Sequence, residues 1–199
     1  MSITSHFFAY INRLRWIKRW SLMRNAIEED VAVHSWEVAT IAHALGVIHN
    51  HLNEEQIDAN RLATAALYHD ATEVITGDMP TPVKYHSDTM KEAYKGVERQ
   101  AEEELLALLP EELQATFEEV LIEHNLPETY QCLLKSADRL SALLKCRAEI
   151  RAGNREFEHA EKEIELRLQQ SERPEVDYFL KTFAPGYELT LDHLLKDES

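Results

Sequence analysis

Residues Ala66–Lys84 read ALYHDATEVITGDMPTPVK. The stretch opens as an apolar helix and then sets His69, Asp70, Glu73 and Asp78 within ten residues. Such ionisable groups are costly on a helix that otherwise belongs in a core. Leu62, Ala66, His69 and Glu73 fall on one face at i,i+3 and i,i+4 spacing, which predicts a helix over 59–76. Gly77 suits its C-terminal cap, and Pro80 and Pro82 block its continuation.

The helical reading extends outward over the chain. Only 5 Gly and 6 Pro interrupt 199 residues, which favours long helices over many turns. A first helix is expected over 3–18 and a loop over 22–31. A long helix over 32–50 has Val38, Ile41, Ala42 and Leu45 as its apolar stripe. Charged or amphipathic helices follow over 88–109, 110–124, 128–152 and 156–171. After Pro174 come a short helix and an irregular tail. Alternating β-branched runs are missing, which argues against a sheet. No repeat, low-complexity tract or Gly/Ser linker divides the chain. The expectation is an all-α helical bundle forming one domain, 1–199.

Composition bounds the function. Hydrophobic content of 44% and charged content of 29% are ordinary for a globular chain. A net charge of −15 argues against wrapping a nucleic-acid polymer. It leaves room for a small phosphate ester held in a local basic pocket. Arg13, Arg15, Lys18, Arg19 and Arg24 are concentrated early, as a solvated helix face or as an anion-binding corner. No apolar run reaches the roughly 20 residues of a membrane span. The N-terminal FFAYINRLRWIKRW lacks the apolar centre and cleavage site of a signal peptide, so no membrane association and a cytoplasmic location are expected. Cys132 and Cys146, about 21 Å apart on one straight helix, are too distant for a disulfide.

The chemistry lies in histidines and carboxylates on faces that read as buried. His34 opens the second helix, His69 and Asp70 are adjacent, and Asp138 sits among leucines in LLKSADRLSALL. A lone histidine near an apolar face is commonly a hydrogen-bonded core residue. An aspartate inside a leucine-rich helix is more telling, because buried carboxylates are rare unless paired or metal-bound. Together the four offer nitrogen and hard oxygen ligands to a divalent transition metal.

His34, His69-Asp70 and Asp138 resemble the H…HD…D signature of the HD-domain metal-dependent phosphohydrolases. The blocks Ser5-His-Phe-Phe-Ala, Arg19-Trp-Ser-Leu-Met-Arg-Asn, Tyr68 through Tyr85 and Lys135-Ser-Ala-Asp are similar, more closely, to the bacterial 5′-deoxynucleotidases, which remove phosphate from deoxyribonucleoside 5′-monophosphates. The similarity runs over nearly the whole chain.

The resemblance implies an all-helical bundle around a buried central metal site. His34, His69, Asp70 and Asp138 would hold one divalent transition metal, with cobalt or manganese expected. The ion would polarise the phosphate and lower the pKa of bound water. Glu73 would orient or deprotonate the attacking water. Asp78, on a loop stiffened by prolines, would either protonate the leaving oxygen or bind the sugar 3′-OH. Arg19 would clamp the phosphate, since guanidinium matches it bidentately. Trp20 would wall off the sugar, so that a ribose 2′-OH loses hydration without a new partner, at about 1–3 kcal/mol. Met79, Pro80 and Thr81 would line the same pocket, and His34 and Asp138 would also border the substrate. Lys84 reads as a surface lysine; His86 and His124 stay outside the ligand set. One departure stands out. Related sequences commonly carry an acidic residue just before the first metal histidine, where this chain has Val33, with Glu28, Glu29 and Asp30 close by.

Other readings are an HD phosphohydrolase acting on nucleoside triphosphates, cyclic nucleotides or alarmones, and a nucleotide-sensing module without turnover. Triphosphates call for more cationic groups than Arg19 and Lys84, and a sensor predicts a damaged ligand set. A homodimer is also implied, with 88–109 and 156–171 as contact candidates or simply solvated charged faces.

Overall fold

The computed structural model describes residues 4–84 and 86–195. Ile3 of the expected first helix and Tyr85 of the motif block therefore lie outside the described residues.

Eleven α-helices are present among the described residues: α1 (Phe7–Ile11), α2 (Val31–Leu52), α3 (Ala59–Tyr68), α4 (Glu73–Thr76), α5 (Thr81–Lys84), α6 (Asp88–Ala107), α7 (Glu111–Leu121), α8 (Glu128–Arg151), α9 (Glu158–Gln169), α10 (Pro174–Thr182) and α11 (Leu191–Leu194). Short 3-10 turns join several of them. The only extended pairing described is an isolated bridge between Lys18 and Asp30. The chain is all-α, as the helical spacing predicts.

Caps explain where the helices start. Asp30 accepts from the Val33 N–H at 3.0 Å to open α2, Asp58 accepts from Asn60 and Arg61 to open α3, and Ser87 accepts from Met90 to open α6. Each satisfies N–H groups that have no partner within the helix. Pro110, Pro127 and Pro174 stand at the starts of α7, α8 and α10, where a missing N–H costs nothing.

The main core is built from α2, α3, α8 and α10. Val38, Ile41, Ala42 and Leu45 of α2 meet Leu62 and Ala66 of α3 and Leu133, Leu140 and Leu143 of α8. The α2–α3 crossing is close because Gly46 has no side chain: a Cβ there would stand 2.9 Å from the Ala59 Cβ. A smaller cluster of Phe7, Ala71, Leu105, Leu109 and Leu121 ties α1, α6 and α7 to the turn after α3. By length and mean hydropathy α2 alone among the described helices reaches what a membrane span needs, yet more than half of that window is buried within the protein.

Two expected helices break. The segment expected over 3–18 is α1 followed by a 3-10 turn, Asn12–Trp16. Phe7 and Leu14 are buried while Phe8 is exposed, so no single apolar stripe runs its length. The helix expected over 59–76 ends at Tyr68 and resumes as α4 at Glu73. Ala71 at the break is fully buried in the smaller cluster, and tertiary packing overrides a local pattern without Gly or Pro. Gly77, at φ +70°, then ends α4 in a conformation that costs other residues.

Candidate metal centre

Four elements bring the site together. His34 comes from the first turn of α2 and is fully buried. His69 and Asp70 stand in the turn after α3, and Asp138 projects from the middle of α8. The Lys18–Asp30 bridge closes the loop between them, with the Arg19 N–H donating to the Glu29 carbonyl at 3.1 Å and Val31 N–H to the Ile17 carbonyl at 3.0 Å. That bridge sets Arg19, Trp20 and Glu29 side by side at the start of α2.

The distances are those of a shared centre. His34 Nε2 is 3.2 Å from Asp138 Oδ1 and 3.6 Å from Asp70 Oδ2, and His69 Nε2 is 3.2 Å from Asp70 Oδ2. His34, His69 and Asp70 each offer one ligand atom within 4.8 Å of the others. Donors held about 2.1 Å from one ion stand roughly 3.0–3.4 Å apart in tetrahedral or octahedral arrangements. Both Nε2 atoms are buried and make no hydrogen bond. The other imidazole nitrogens are spoken for: His69 Nδ1 lies 2.8 Å from the Ala66 carbonyl, and His34 Nδ1 lies 3.3 Å from Glu29 Oε1 and 3.2 Å from Ser141 Oγ. A ring oriented at Nδ1 with a bare Nε2 facing carboxylates is the form in which histidine ligates a metal. The donor set fits a divalent cation.

Charges within the cluster compensate one another. Burial works against a proton on His69, but the adjacent Asp70 carboxylate pushes its pKa up to about 9. Burial and Arg19 oppose a proton on His34, and Asp138 and Glu29 outweigh them. Asp70 resists burial because His69, His34 and Arg19 hold it well below the usual carboxylate range.

Beside this centre, Arg19 Nη1 is 3.3 Å from Asp70 Oδ2 and its Nε is 3.1 Å from Glu29 Oε1. Trp20 donates its indole N–H to Glu29 Oε2 at 2.9 Å and packs on Phe157 with ring centroids 5.3 Å apart. Its φ of +58° is a left-handed conformation, and its backbone N–H is directed at the Asp78 carboxylate. Glu73 opens α4 with a buried, unpartnered Oε2. Burial first, then the charges of Asp70 and Asp78, push its pKa up to about 9. Burial, reinforced by Asp70, also raises that of Asp78. Met79 and Pro80 follow Asp78 and are partly buried, and Thr81 begins α5.

Several expected outliers lie elsewhere. Lys84 pairs with Glu98 at 2.8 Å and lies over the Tyr94 ring. His124 is largely exposed and faces Glu102 at 3.5 Å. The cysteines are both free, and burial pushes the Cys146 thiol up to about 12. The residue whose role the sequence left unassigned is Glu29, buried and shared by His34, Arg19 and Trp20. The acidic run Glu28-Glu29-Asp30 held the signal, but spacing along the chain could not say which of the three turns inward.

Similarity to known proteins extends over almost the whole chain. A family profile described as 5′-deoxynucleotidase YfbR-like matches residues 6–187. A 5′-deoxynucleotidase of Cronobacter sakazakii is 47% identical over 193 residues, covering 97% of each chain. One from Yersinia pestis is also 47% identical, over 97% of this chain and 98% of its own. Among solved structures, an HD-domain phosphohydrolase from Listeria innocua aligns with a TM-score of 0.79 at 27% identity, covering 92% of this chain and 88% of that one. An HD phosphohydrolase of cyanophage S-2L, solved with dA and one catalytic Zn2+, shares the fold at a TM-score of 0.64 and 22% identity, over 96% of this chain and 100% of that one. With the His-Asp cluster at its centre and relatives matched over almost its full length, the chain belongs to the YfbR-like 5′-deoxynucleotidases, phosphoric monoester hydrolases of the HD-domain type.

Proposed function

We propose that the chain acts as one unit, residues 1–199, to hydrolyse deoxyribonucleoside 5′-monophosphates to deoxynucleoside and phosphate, discriminating against ribonucleotides. The observation that carries the reading is the pair of bare, buried Nε2 atoms of His34 and His69 facing Asp70 and Asp138, with Arg19 alongside. In this reading those four residues hold one divalent transition metal, cobalt or manganese being the expectation. When bound, such an ion supplies Lewis-acid polarisation of the phosphate and acidifies water.

The remaining work falls to this chain's own side chains. Arg19 turns a guanidinium already fixed by Glu29 and Asp70 toward the phosphate. Glu73, unpartnered and at the edge of the cluster, orients the attacking water, since burial and the neighbouring carboxylates favour its protonated form. Asp78 has its pKa raised by burial and so favours the proton-donor role toward the leaving 5′ oxygen over binding the 3′-OH. Trp20, held edge-on by Glu29 and backed by Phe157, forms the flat wall against C2′ of the sugar. Met79, Pro80 and Thr81 continue that pocket beyond Asp78, and His34 and Asp138 border the substrate. A cytoplasmic homodimer completes the reading on the family resemblance alone.

The test is phosphate release from deoxy- and ribonucleoside 5′-monophosphates, with and without added Co2+ or Mn2+. Release from the deoxy series that depends on the ion, and a deoxy-over-ribo ratio lowered about tenfold to hundredfold by Trp20→Ala, is the expected result. No release from any deoxynucleotide by protein with metal bound rejects the reading. An unchanged ratio in Trp20→Ala rejects the sugar wall.

A further inference from the structure

Far from the metal centre, the end of α8 holds a fully buried Glu149 and a buried Lys145 that the hydrolytic chemistry does not use. Glu149 stands eleven residues beyond Asp138, about 16 Å along the helix. Both groups turn toward the loop Ser21–Glu29. Glu149 Oε2 accepts from the Ala26 N–H at 2.8 Å and Oε1 from the Ile27 N–H at 2.9 Å. Lys145 Nζ donates to the Ile27 carbonyl and, at 2.5 Å, to Glu149 Oε1. Asn154 donates to Glu149 Oε2 at 2.9 Å and to the Arg24 carbonyl at 2.7 Å, and Glu156 accepts from the Arg24 N–H at 3.3 Å. Lys145 also lies 5.6 Å from the centre of the Phe157 ring, the ring on which Trp20 packs.

We infer that Glu149 and Lys145 are positioning residues for substrate selection: they fasten the Ser21–Glu29 loop to α8 and thereby fix Trp20 and Arg19 relative to Asp138. This rests on the functional reading above, in which Trp20 and Arg19 meet sugar and phosphate. The argument is one of reference frames. Asp138 and Glu149 belong to a single helix, so its rigidity is transmitted to the loop through the carboxylate that gathers two of the loop's N–H groups. Asn25 Nδ2 relays the constraint inward, bonding the Trp20 carbonyl at 3.3 Å and the Met23 carbonyl at 3.0 Å. The left-handed backbone of Trp20 is a conformation that persists only when its surroundings over-determine it. Fastening on one side by Glu149 and Lys145, and on the other by the Lys18–Asp30 bridge, supplies that. As stabilising elements alone, a buried Lys and Glu are poor choices, since apolar residues of like volume commonly serve as well.

The test uses Glu149→Gln, which keeps the shape and removes the charge, together with Lys145→Met, which keeps the length and removes the charge, in the full metal-loaded protein below its unfolding transition. Misplacement of a positioning contact by about 1 Å costs on the order of 100-fold. The expected result is a rise in KM for a deoxynucleoside monophosphate and a deoxy-over-ribo ratio lowered about 10-fold or more, with bound metal at the parent's stoichiometry. A merely structural role predicts a lower melting temperature with ratio and KM unchanged in the folded protein, and that outcome overturns the inference. A second readout is independent of turnover. With 5-fluorotryptophan incorporated and the Trp20 resonance assigned by Trp20→Phe, both variants shift or broaden that resonance while those of Trp16 and Trp36 stay in place. An unmoved Trp20 resonance overturns the inference whatever the activity. A parent protein inert toward every deoxynucleotide overturns the functional reading instead, and the fluorine spectrum still decides the placement.

Discussion

Helix α2 buries a histidine near each end, and each ring meets a carboxylate from another element. At one end His49 Nδ1 lies 2.6 Å from Glu175 Oε1 of α10, with Asn53 completing the group. At the other end His34 has Glu29 and Ser141 behind it and Asp70, Asp138 and His69 before it. Both rings leave Nε2 without a hydrogen bond, so an orphaned nitrogen alone does not distinguish them. The number of independent segments does. The His49 group joins two helices that already pack in the main core, as a fastening would. The His34 group gathers two carboxylates, two imidazoles and a guanidinium from separate segments, a convergence of ligating groups that the packing of α2 does not require. Chemistry that costs stability and is assembled from four segments marks a site; chemistry that closes one helix pair marks a joint.

The largest effect that tests this contrast is at Glu73, strained first by burial and then by the carboxylates of the crowded end. Its pKa of about 9 lies above its ordinary value of 4.5. A folded-state pKa raised in this way contributes stability that is present below about pH 4.5 and lost as pH rises toward 9. Glu73→Gln removes that loss. The metal-free variant should exceed its parent by about 1–2 kcal/mol at pH 8 in urea denaturation, with the difference fading toward pH 4. Its phosphate release should fall about 100- to 10,000-fold. Gain of stability with loss of turnover is the signature of a catalytic group. A variant that is less stable at pH 8 would break the contrast from the crowded side.

His49→Ala reverses the pattern. Glu175, 2% exposed, would lose its partner in the core, at about 3 kcal/mol of unfolding free energy. Turnover per folded molecule below the transition should match the parent. If it instead falls with the ratio of deoxy to ribo substrates, the two ends of α2 are coupled and the joint is part of the site.

How much of this was legible in the sequence depends on distance along the chain. His34, His69, Asp70 and Asp138 were readable because each breaks an apolar helical pattern from within, and a misplaced charge is visible without knowing its neighbours. The break at His69–Thr72 was not, since no Gly or Pro marks it and its cause is the burial of Ala71 against Phe7 and Leu105, residues far away in sequence. His49 and Glu175 were equally invisible as a pair, 126 residues apart. The loop before α2 hid its contents for another reason: its geometry is set by α8 through Glu149, and a loop carries no periodicity from which to infer an inward face.

Glu29 gives the smallest effect and the sharpest test of how the site is oriented. Val33 precedes His34, at the place where the family resemblance leads one to expect an acid, yet Val33 is 48% exposed and points away from the imidazole. Glu29 reaches it from the loop instead, and spends its second oxygen on Trp20. Glu29→Gln keeps the shape and removes the charge that orients Nδ1 of His34. A partner of this kind typically contributes about 10- to 100-fold to metal affinity or activity. Metal affinity, measured by competition with a chelator, should fall by about 10-fold, and KM should rise as Arg19 loses one of its two carboxylates. Adding Val33→Glu to that variant should restore neither quantity, because a side chain directed to solvent from the first turn of α2 does not reach Nδ1. Rescue by Val33→Glu would mean that the acid preceding the histidine acts through the long-range field rather than by contact, and that the loop's hold on the ring is incidental.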